Sequence, residues 1–359
     1  MLLVMLRRAA QLSLLLAIII AGLAVWGYMD LRTPVAHTRA ATYLEIPRGS
    51  SAPEIVARLA DAGVIRRRTV WPLLAYIKLT AASPHLKAGQ YRFASPITPL
   101  DVLRKLRQGE QRLIRLTVIE GWTRWDIAAA MARTPELNLP DAQAALALMD
   151  NVSLIADLDP HAQNLEGYMY PDTYYFPPNT TAPQLVQQMV RRFRQEWDQK
   201  FAATARSRNL TPHEVITIAA LIETEAKLRE ERPLISSVIQ NRLHKELPLG
   251  IDSTVIYASK LAGKWKNDGK VYQSDLDLPS PYNTRKFSGL PPGPIASPGA
   301  SSIEAALNPA ATDYLYYVRD PARDDGAHNF YQQESDFQRG VQALRDWERA
   351  RDARARGTN

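Results

Sequence analysis

The chain of 359 residues contains no cysteine. That excludes disulfides, thiolate metal sites, a cysteine nucleophile and the cysteine-borne anchor of a lipoprotein. Other catalytic signatures are missing too. There is no Gly-x-Ser-x-Gly elbow and no Gly-x-x-x-x-Gly-Lys-Ser/Thr phosphate loop. The histidines, His37, His85, His161, His213, His244 and His328, are scattered without the i, i+4 spacing of a zinc helix. Hydrolysis through serine or a metal is therefore not expected, nor is a bound cofactor. Charge of one sign is scarce: 44 basic against 37 acidic side chains leave a net +7. Such a surplus suits an anionic surface or polymer and makes no case for nucleic acid. The clusters Arg66-Arg67-Arg68 and Arg191-Arg192-Phe193-Arg194 read as solvated faces.

What is there begins with an uncharged run over residues 9–29, long enough for a helix to cross a hydrocarbon core about 30 Å thick. Arg7 and Arg8 precede it and Asp30 follows it. By the positive-inside rule, residues 1–8 stay in the cytoplasm and the bulk of the chain is exported. A cleaved signal peptide would show a shorter apolar region and a small-x-small exit. Here Trp26, Tyr28 and Met29 close the run, as interfacial residues do. The expectation is an uncleaved, single-pass anchor.

After a linker over residues 30–41, Tyr43-Leu44-Glu45-Ile46-Pro47 alternates like a strand. Residues 51–62 carry Ile55, Val56, Leu59 and Ala60 at helical spacing and end at Gly63. Val64-Ile65 resumes an extended run. A weaker copy follows, strand-like over 113–119, with a turn at Glu120-Gly121 and a helix over 122–132. Residues 42–118 thus form a small α+β module whose default role is binding or spacing. Residues 139–203 are mostly helical, interrupted at 164–176 by a segment holding five aromatics and two carboxylates. That segment fits a cleft wall or an aromatic packing loop equally well. Residues 314–318 read as a buried strand, and the charged end as helix.

The most informative helix starts at Thr211-Pro212-His213-Glu214, a capping box with proline at its first position. Residues 215–222 are apolar on every face except Thr217, so the helix is buried on most sides. Glu223 and Glu225 follow. At about 100° per residue they fall on opposite flanks, so they cannot serve one site as a pair. A carboxyl in an apolar setting holds its proton towards neutral pH and can protonate a glycosidic oxygen. The plainer alternative is a surface glutamate paired with a nearby Lys or Arg. Further on, Asp252 or Ser253 caps another helix, and six of the 25 prolines crowd into residues 279–298, where they stiffen the backbone.

In order, the chain carries Leu165-Glu166-Gly167 with Pro171-Asp172-Thr173-Tyr174, then Ala220-Leu221-Ile222-Glu223-Thr224-Glu225 and Asn241-Arg242-Leu243. Asp252-Ser253-Thr254-Val255-Ile256-Tyr257, Tyr282-Asn283-Thr284 and Gly289-Leu290-Pro291-Pro292-Gly293-Pro294-Ile295 follow. In these motifs it resembles the membrane-anchored endolytic murein transglycosylases, the YceG-like (MltG) family. Four positions depart from that pattern. Gly250 and Ser253 stand where glutamine and proline are usual, Phe337 replaces a second histidine, and Thr224 replaces Lys or Arg between the glutamates.

The resemblance implies an α+β fold with a transmembrane helix, a LysM-like domain over 42–118, a catalytic domain over 119–345 and a charged tail over 346–359. It implies cleavage of the MurNAc-β-1,4-GlcNAc bond in nascent glycan strands, leaving 1,6-anhydro-MurNAc ends and terminating elongation. Glu223 takes the acid/base role. Glu166, Asp252, Tyr282, Asn283 and Thr284 are the implied substrate contacts, and Glu225 is a supporting carboxylate. No metal or cofactor is implied. Peptidoglycan synthases are the implied protein partners, and the place is the bacterial inner membrane with the bulk in the periplasm. Two alternatives remain at this point: a muramidase that admits water, and a catalytically silent wall-binding anchor.

Overall fold

With no proline before Pro34, the apolar N-terminal run forms one helix, α1 (Leu2–Arg32), in the computed structural model, which describes residues 2–82, 85–109 and 112–357. Its Ala10–Arg32 stretch is long and apolar enough to cross a membrane. The chain divides into two compact units, Met1–Ile114 with Tyr175–Asn179, and Arg115–Tyr174 with Thr180–Asn359.

In the first unit, β1 (Leu44–Ile46), α2 (Ala52–Asp61), α3 (Val70–Leu79), β2 (Gly89–Tyr91) and α4 (Pro99–Gln108) follow α1. β1 and β2 pair antiparallel, with Leu44 opposite Tyr91 and Ile46 opposite Gly89. α2 starts at a capping box of Ser51 and Glu54 and buries Ile55, Val56 and Leu59. Gly63 follows its last residues at φ +73°, the left-handed position that glycine tolerates best. Val64 and Ile65 do not extend. Both their N–H groups turn back to the Leu59 carbonyl, at 2.9 and 3.3 Å, and their side chains join Leu73, Ile77, Tyr91 and Phe93 in the core.

Two expectations about polar segments change. Residues 30–41 are tied down, since Val35 exchanges backbone hydrogen bonds with Ile97 at 2.8 and 3.1 Å. The Arg66-Arg67-Arg68 cluster is more than a solvated face. The buried Asp30 carboxylate accepts from Thr69 Oγ1 at 2.6 Å and Arg68 Nη2 at 3.0 Å, with Arg66 Nη1 at 3.6 Å. This clamp fixes the C-terminal end of α1. Likewise Arg192 pairs with Asp172 and Glu196, and Arg194 with Asp157 and the Leu154 carbonyl.

β3 (Ile114–Thr117) and β4 (Thr173–Phe176) form a second two-stranded sheet. The second unit is mainly helical: α5 (Arg124–Ala132), α6 (Ala142–Met149), α7 (Ala182–Glu196), α8 (Ala202–Ser207), α9 (Pro212–Glu225), α10 (Arg232–His244), α11 (Asp252–Leu261), α12 (Gln273–Leu276) and α13 (Ala300–Leu307). The hairpin β5 (Tyr316–Arg319) and β6 (His328–Tyr331) and the helix α14 (Glu334–Gly357) complete it. β5 is half-buried rather than buried, because among the described residues it pairs with β6 alone. The segment 164–176, which ends in β4, mostly packs inwards: Leu165, Tyr168, Met169, Tyr170, Tyr174 and Phe176 are buried, while Tyr175 is exposed. α11 is capped by neither Asp252 nor Ser253, since its N-cap is Ile251.

α9 is the central helix of this unit. Thr211 Oγ1 accepts from the Glu214 N–H at 3.2 Å and Glu214 Oε2 accepts from the Thr211 N–H at 2.8 Å. Every residue from Val215 to Ile222 is buried, against α13 and α10 above all. Its first turn is pinned by His213, whose Nδ1 lies 2.8 Å from the buried Asp159 carboxylate, which also accepts from Tyr168 Oη at 2.5 Å.

The Asp159 hydrogen bond raises the His213 pKa; at Asp159 burial pushes the other way, but the hydrogen bonds from His213 and Tyr168 outweigh it and lower its pKa. A raised histidine stabilises fully below its unfolded value, about 6.5, and the gain is lost as pH rises through the folded value. We expect the melting-temperature advantage of the wild type over His213→Gln to be greatest near pH 6 and to shrink at alkaline pH. Thermal melts across that range check it; an advantage independent of pH would break the link.

Candidate active site around Glu223

Where the apolar part of α9 ends, Glu223 is held inside the protein, its side chain only 6% exposed. Oε1 accepts from Arg232 Nη2 at 2.8 Å, and Oε2 accepts from the Gly299 N–H at 2.9 Å. Arg232 is the first residue of α10. Gly299 is the N-cap of α13, so the carboxylate meets the positive end of that helix. The plainer sequence alternative named the right kind of partner, an arginine, but the wrong setting.

The wall beside the acid is made of backbone. The Gly121 N–H donates to the Ser297 carbonyl at 2.9 Å, and the Ser297 N–H donates to the Trp122 carbonyl at 2.8 Å. A Cβ on Gly121 would stand 3.9 Å from Glu223 Cγ, and one on Gly299 would collide with the Glu120 carboxylate. The missing side chain at Gly299 therefore leaves the space that Glu120 fills beside the site. Sequence reasoning missed Arg232, Gly299 and Glu120. Arg232 lay hidden in a charged stretch, and nothing local links residue 299 to residue 223.

Glu225 has a separate environment, as the helical arithmetic requires. Tyr317 Oη donates to its Oε2 at 2.9 Å, and Ser253 Oγ lies 3.4 Å from Oε1. Burial raises its pKa, partly opposed by the Tyr317 hydrogen bond. It lines a cavity of about 270 Å³ with Arg242, Asp252, Arg285 and Tyr316. Close by in sequence to Arg232, Glu231 accepts from the His328 N–H at 2.7 Å and from its Nδ1 at 2.8 Å, fixing β6.

The other sequence candidates fall into two groups. Glu166 is 2% exposed and its oxygens accept the Arg124 N–H at 3.0 and 3.1 Å, at the start of α5. Burial pushes its pKa up to about 7, against the Arg124 N–H and the Tyr257 hydroxyl that donates at 3.2 Å. The Tyr282 ring packs on Tyr257 at a tilt of 42°, with ring centroids 4.9 Å apart. In the second group, Thr284 Oγ1 accepts from the Ile251 N–H at 3.1 Å and meets Thr254 Oγ1 at 2.8 Å. Buried Asn283 donates to the Leu276 and Leu278 carbonyls at 2.9 and 3.1 Å. Half-exposed Asp252 pairs with Arg285 at 2.6 Å. Among the described residues, Glu223 hydrogen-bonds to Arg232 and Gly299 and to none of these candidates. Three His, Asp or Glu side chains placed to hold a metal ion do not occur among the described residues.

The profile of the YceG-like family matches residues 44–343. The endolytic murein transglycosylase of Bacillus subtilis (strain 168) is 33% identical over 317 residues, 84% of this chain and 85% of the relative. That of Streptococcus pneumoniae serotype 2 (strain D39) is 31% identical over 332 residues, 85% of this chain and 59% of the relative's length. The crystal structure of a yceG-like protein from Listeria monocytogenes is similar with a TM-score of 0.57 at 30% identity, covering 84% of this chain and 99% of that one.

Proposed function

This chain belongs to the YceG-like family, and we propose that it is an endolytic murein transglycosylase in which Glu223 is both acid and base. The observation that carries the reading is the Glu223 carboxyl itself: buried, ending an apolar helix, and oriented through both oxygens by Arg232 and the Gly299 N–H. Protonated Glu223 gives its proton to the oxygen joining MurNAc C1 to GlcNAc, and that C–O bond breaks. The carboxylate then takes the C6 hydroxyl proton as O6 bonds to C1, closing the anhydro ring. No water is consumed, so the second carboxylate of a hydrolytic glycosidase is not needed. Arg232 and the α13 N-terminus stabilise the carboxylate between the two proton transfers.

Glu225 offers a second reading, favoured by the cavity it lines and by its raised pKa. The resemblance in the motifs assigns it the supporting role, and Tyr317 and Ser253 are the groups that hold it there. Asp252, which lines that cavity, fits a substrate contact through its half-exposed carboxylate. Glu166, Tyr282, Asn283 and Thr284 shape the cleft from within, by holding α5 and the 282–284 loop. In this reading the enzyme sits in the inner membrane through α1 with its bulk in the periplasm, a reading supported by the length and apolar composition of that helix. The β1–α2–α3–β2 module serves as the LysM-like domain that holds glycan strands, and synthases that extend those strands are the partners.

Incubation of the full chain with purified peptidoglycan, followed by mass spectrometry of the ends, tests the reaction. Anhydro ends about 18 Da lighter than hydrated ends, the mass of the water that internal C6 attack excludes, are expected. Hydrated ends would make it a muramidase, and strands left intact but bound would make it an anchor.

A further inference from the structure

The sequence of α3, Val70-Trp71-Pro72-Leu73-Leu74-Ala75-Tyr76-Ile77-Lys78-Leu79, is apolar around almost its whole circumference. A helix of that kind needs cover on every side. One side has it, since Leu73 and Ile77 are in the core of the first unit. The other does not. Trp71, Ala75 and Leu79, at i, i+4 and i+8, form an outward stripe, with Trp71 79% and Leu79 86% exposed. Exposed apolar stripes of large side chains mark sites that meet protein or lipid.

The location of the stripe selects lipid. Trp71, Ala75 and Leu79 line one groove of about 580 Å³ with Leu23, Gly27 and Tyr28 of α1. A Cβ on Gly27 would stand 3.4 Å from Pro72 Cβ, so the two helices lie against each other. Those α1 residues belong to its membrane-crossing stretch. Leu23 is seven residues inside Asp30, which clamps the residues just before α3, and at 1.5 Å per residue that is about 10 Å of depth. Helices lying in the membrane interface sink their apolar faces by about 5–10 Å. Lys78, exposed beside Leu79, can carry its ammonium back to the headgroups along its own alkyl stem.

We propose that α3 is a second membrane element, an interfacial helix whose Trp71–Ala75–Leu79 stripe rests in the acyl-chain edge of the outer leaflet beside α1. The first unit is then seated on the bilayer by two contacts and does not swing on a single tether.

The absence of cysteine permits a direct test. Single nitroxide labels are placed at Ala75→Cys and Leu79→Cys in the full chain, with Arg58→Cys on the exposed side of α2 as an aqueous reference. The proteins are reconstituted in vesicles of phosphatidylethanolamine and phosphatidylglycerol. Paramagnetic resonance then compares collisions with oxygen, which partitions into lipid, and with a water-soluble nickel chelate. Oxygen collisions are expected to dominate at positions 75 and 79, and the order to invert at position 58. An aqueous ratio at 75 and 79 overturns the proposal. So does shielding from both reagents, which would mean that protein, a second copy or another chain, covers the stripe. All three positions are exposed, so the labels remove no core contact.

Discussion

Glu223→Gln is expected to lower glycan-strand cleavage by at least about 100-fold, the lower end of what a positioned acid/base contributes. Glutamine keeps the side-chain volume and one acceptor oxygen, so the Arg232 or Gly299 contact can persist while proton transfer cannot. The variant should melt within a few degrees of the wild type and still bind peptidoglycan. The comparison that decides is Glu225→Gln, whose carboxyl is held by Tyr317 and Ser253 away from Arg232. That change should leave anhydro products forming, at a lower rate. If Glu225→Gln loses the activity and Glu223→Gln keeps it, the acid has been placed on the wrong glutamate.

Gly167→Ala is expected to be the most damaging of the small substitutions to the fold. Gly167 has φ +80°, and a Cβ there would stand 2.6 Å from Pro294 Cβ and 2.9 Å from Ile216 Cγ2. Left-handed backbone costs a non-glycine residue about 1–2 kcal/mol. Forcing a methyl into packed surroundings adds about 1–3 kcal/mol. Together these should lower the melting temperature by roughly 5–20 °C for a unit of this size. Because Ile216 is on α9 and Pro294 on the proline-rich segment, activity should fall with stability. Gly263→Ala separates the two causes, since Gly263 is also left-handed, at φ +64°, with nothing within 4 Å of a Cβ. A Gly167→Ala protein no less stable than Gly263→Ala would show that the crowding is absorbed.

Much of this was legible in the chain because it depends on neighbours. Thr211-Pro212-His213-Glu214 starts α9 through contacts three residues apart, and the spacing of Ile55, Val56 and Leu59 gives the buried face of α2. The opposite flanks of Glu223 and Glu225 follow from helical geometry alone, and the structure gives each its own partners. Where local rules met competition they failed. Asp252 is a good capping residue, but Arg285 takes its carboxylate and Ile251 is left as the cap. The aromatic segment 164–176 had composition for a cleft or a core, and only its packing made most of it core.

The sequence alone determined that this chain has one apolar helix long enough for a membrane, which helix is buried, and which acid ends it. Each rests on residues within a few turns of one another, where backbone geometry leaves little choice. The tertiary structure decided the rest. It brought Gly299 to Glu223 across 76 residues, set Arg232 against the same carboxyl, tied the Gly121 loop to Ser297, and clamped Asp30 between Arg68 and Thr69. Such contacts carry no mark in the local pattern, because a buried charge takes whichever partner the folded backbone delivers within hydrogen-bond reach.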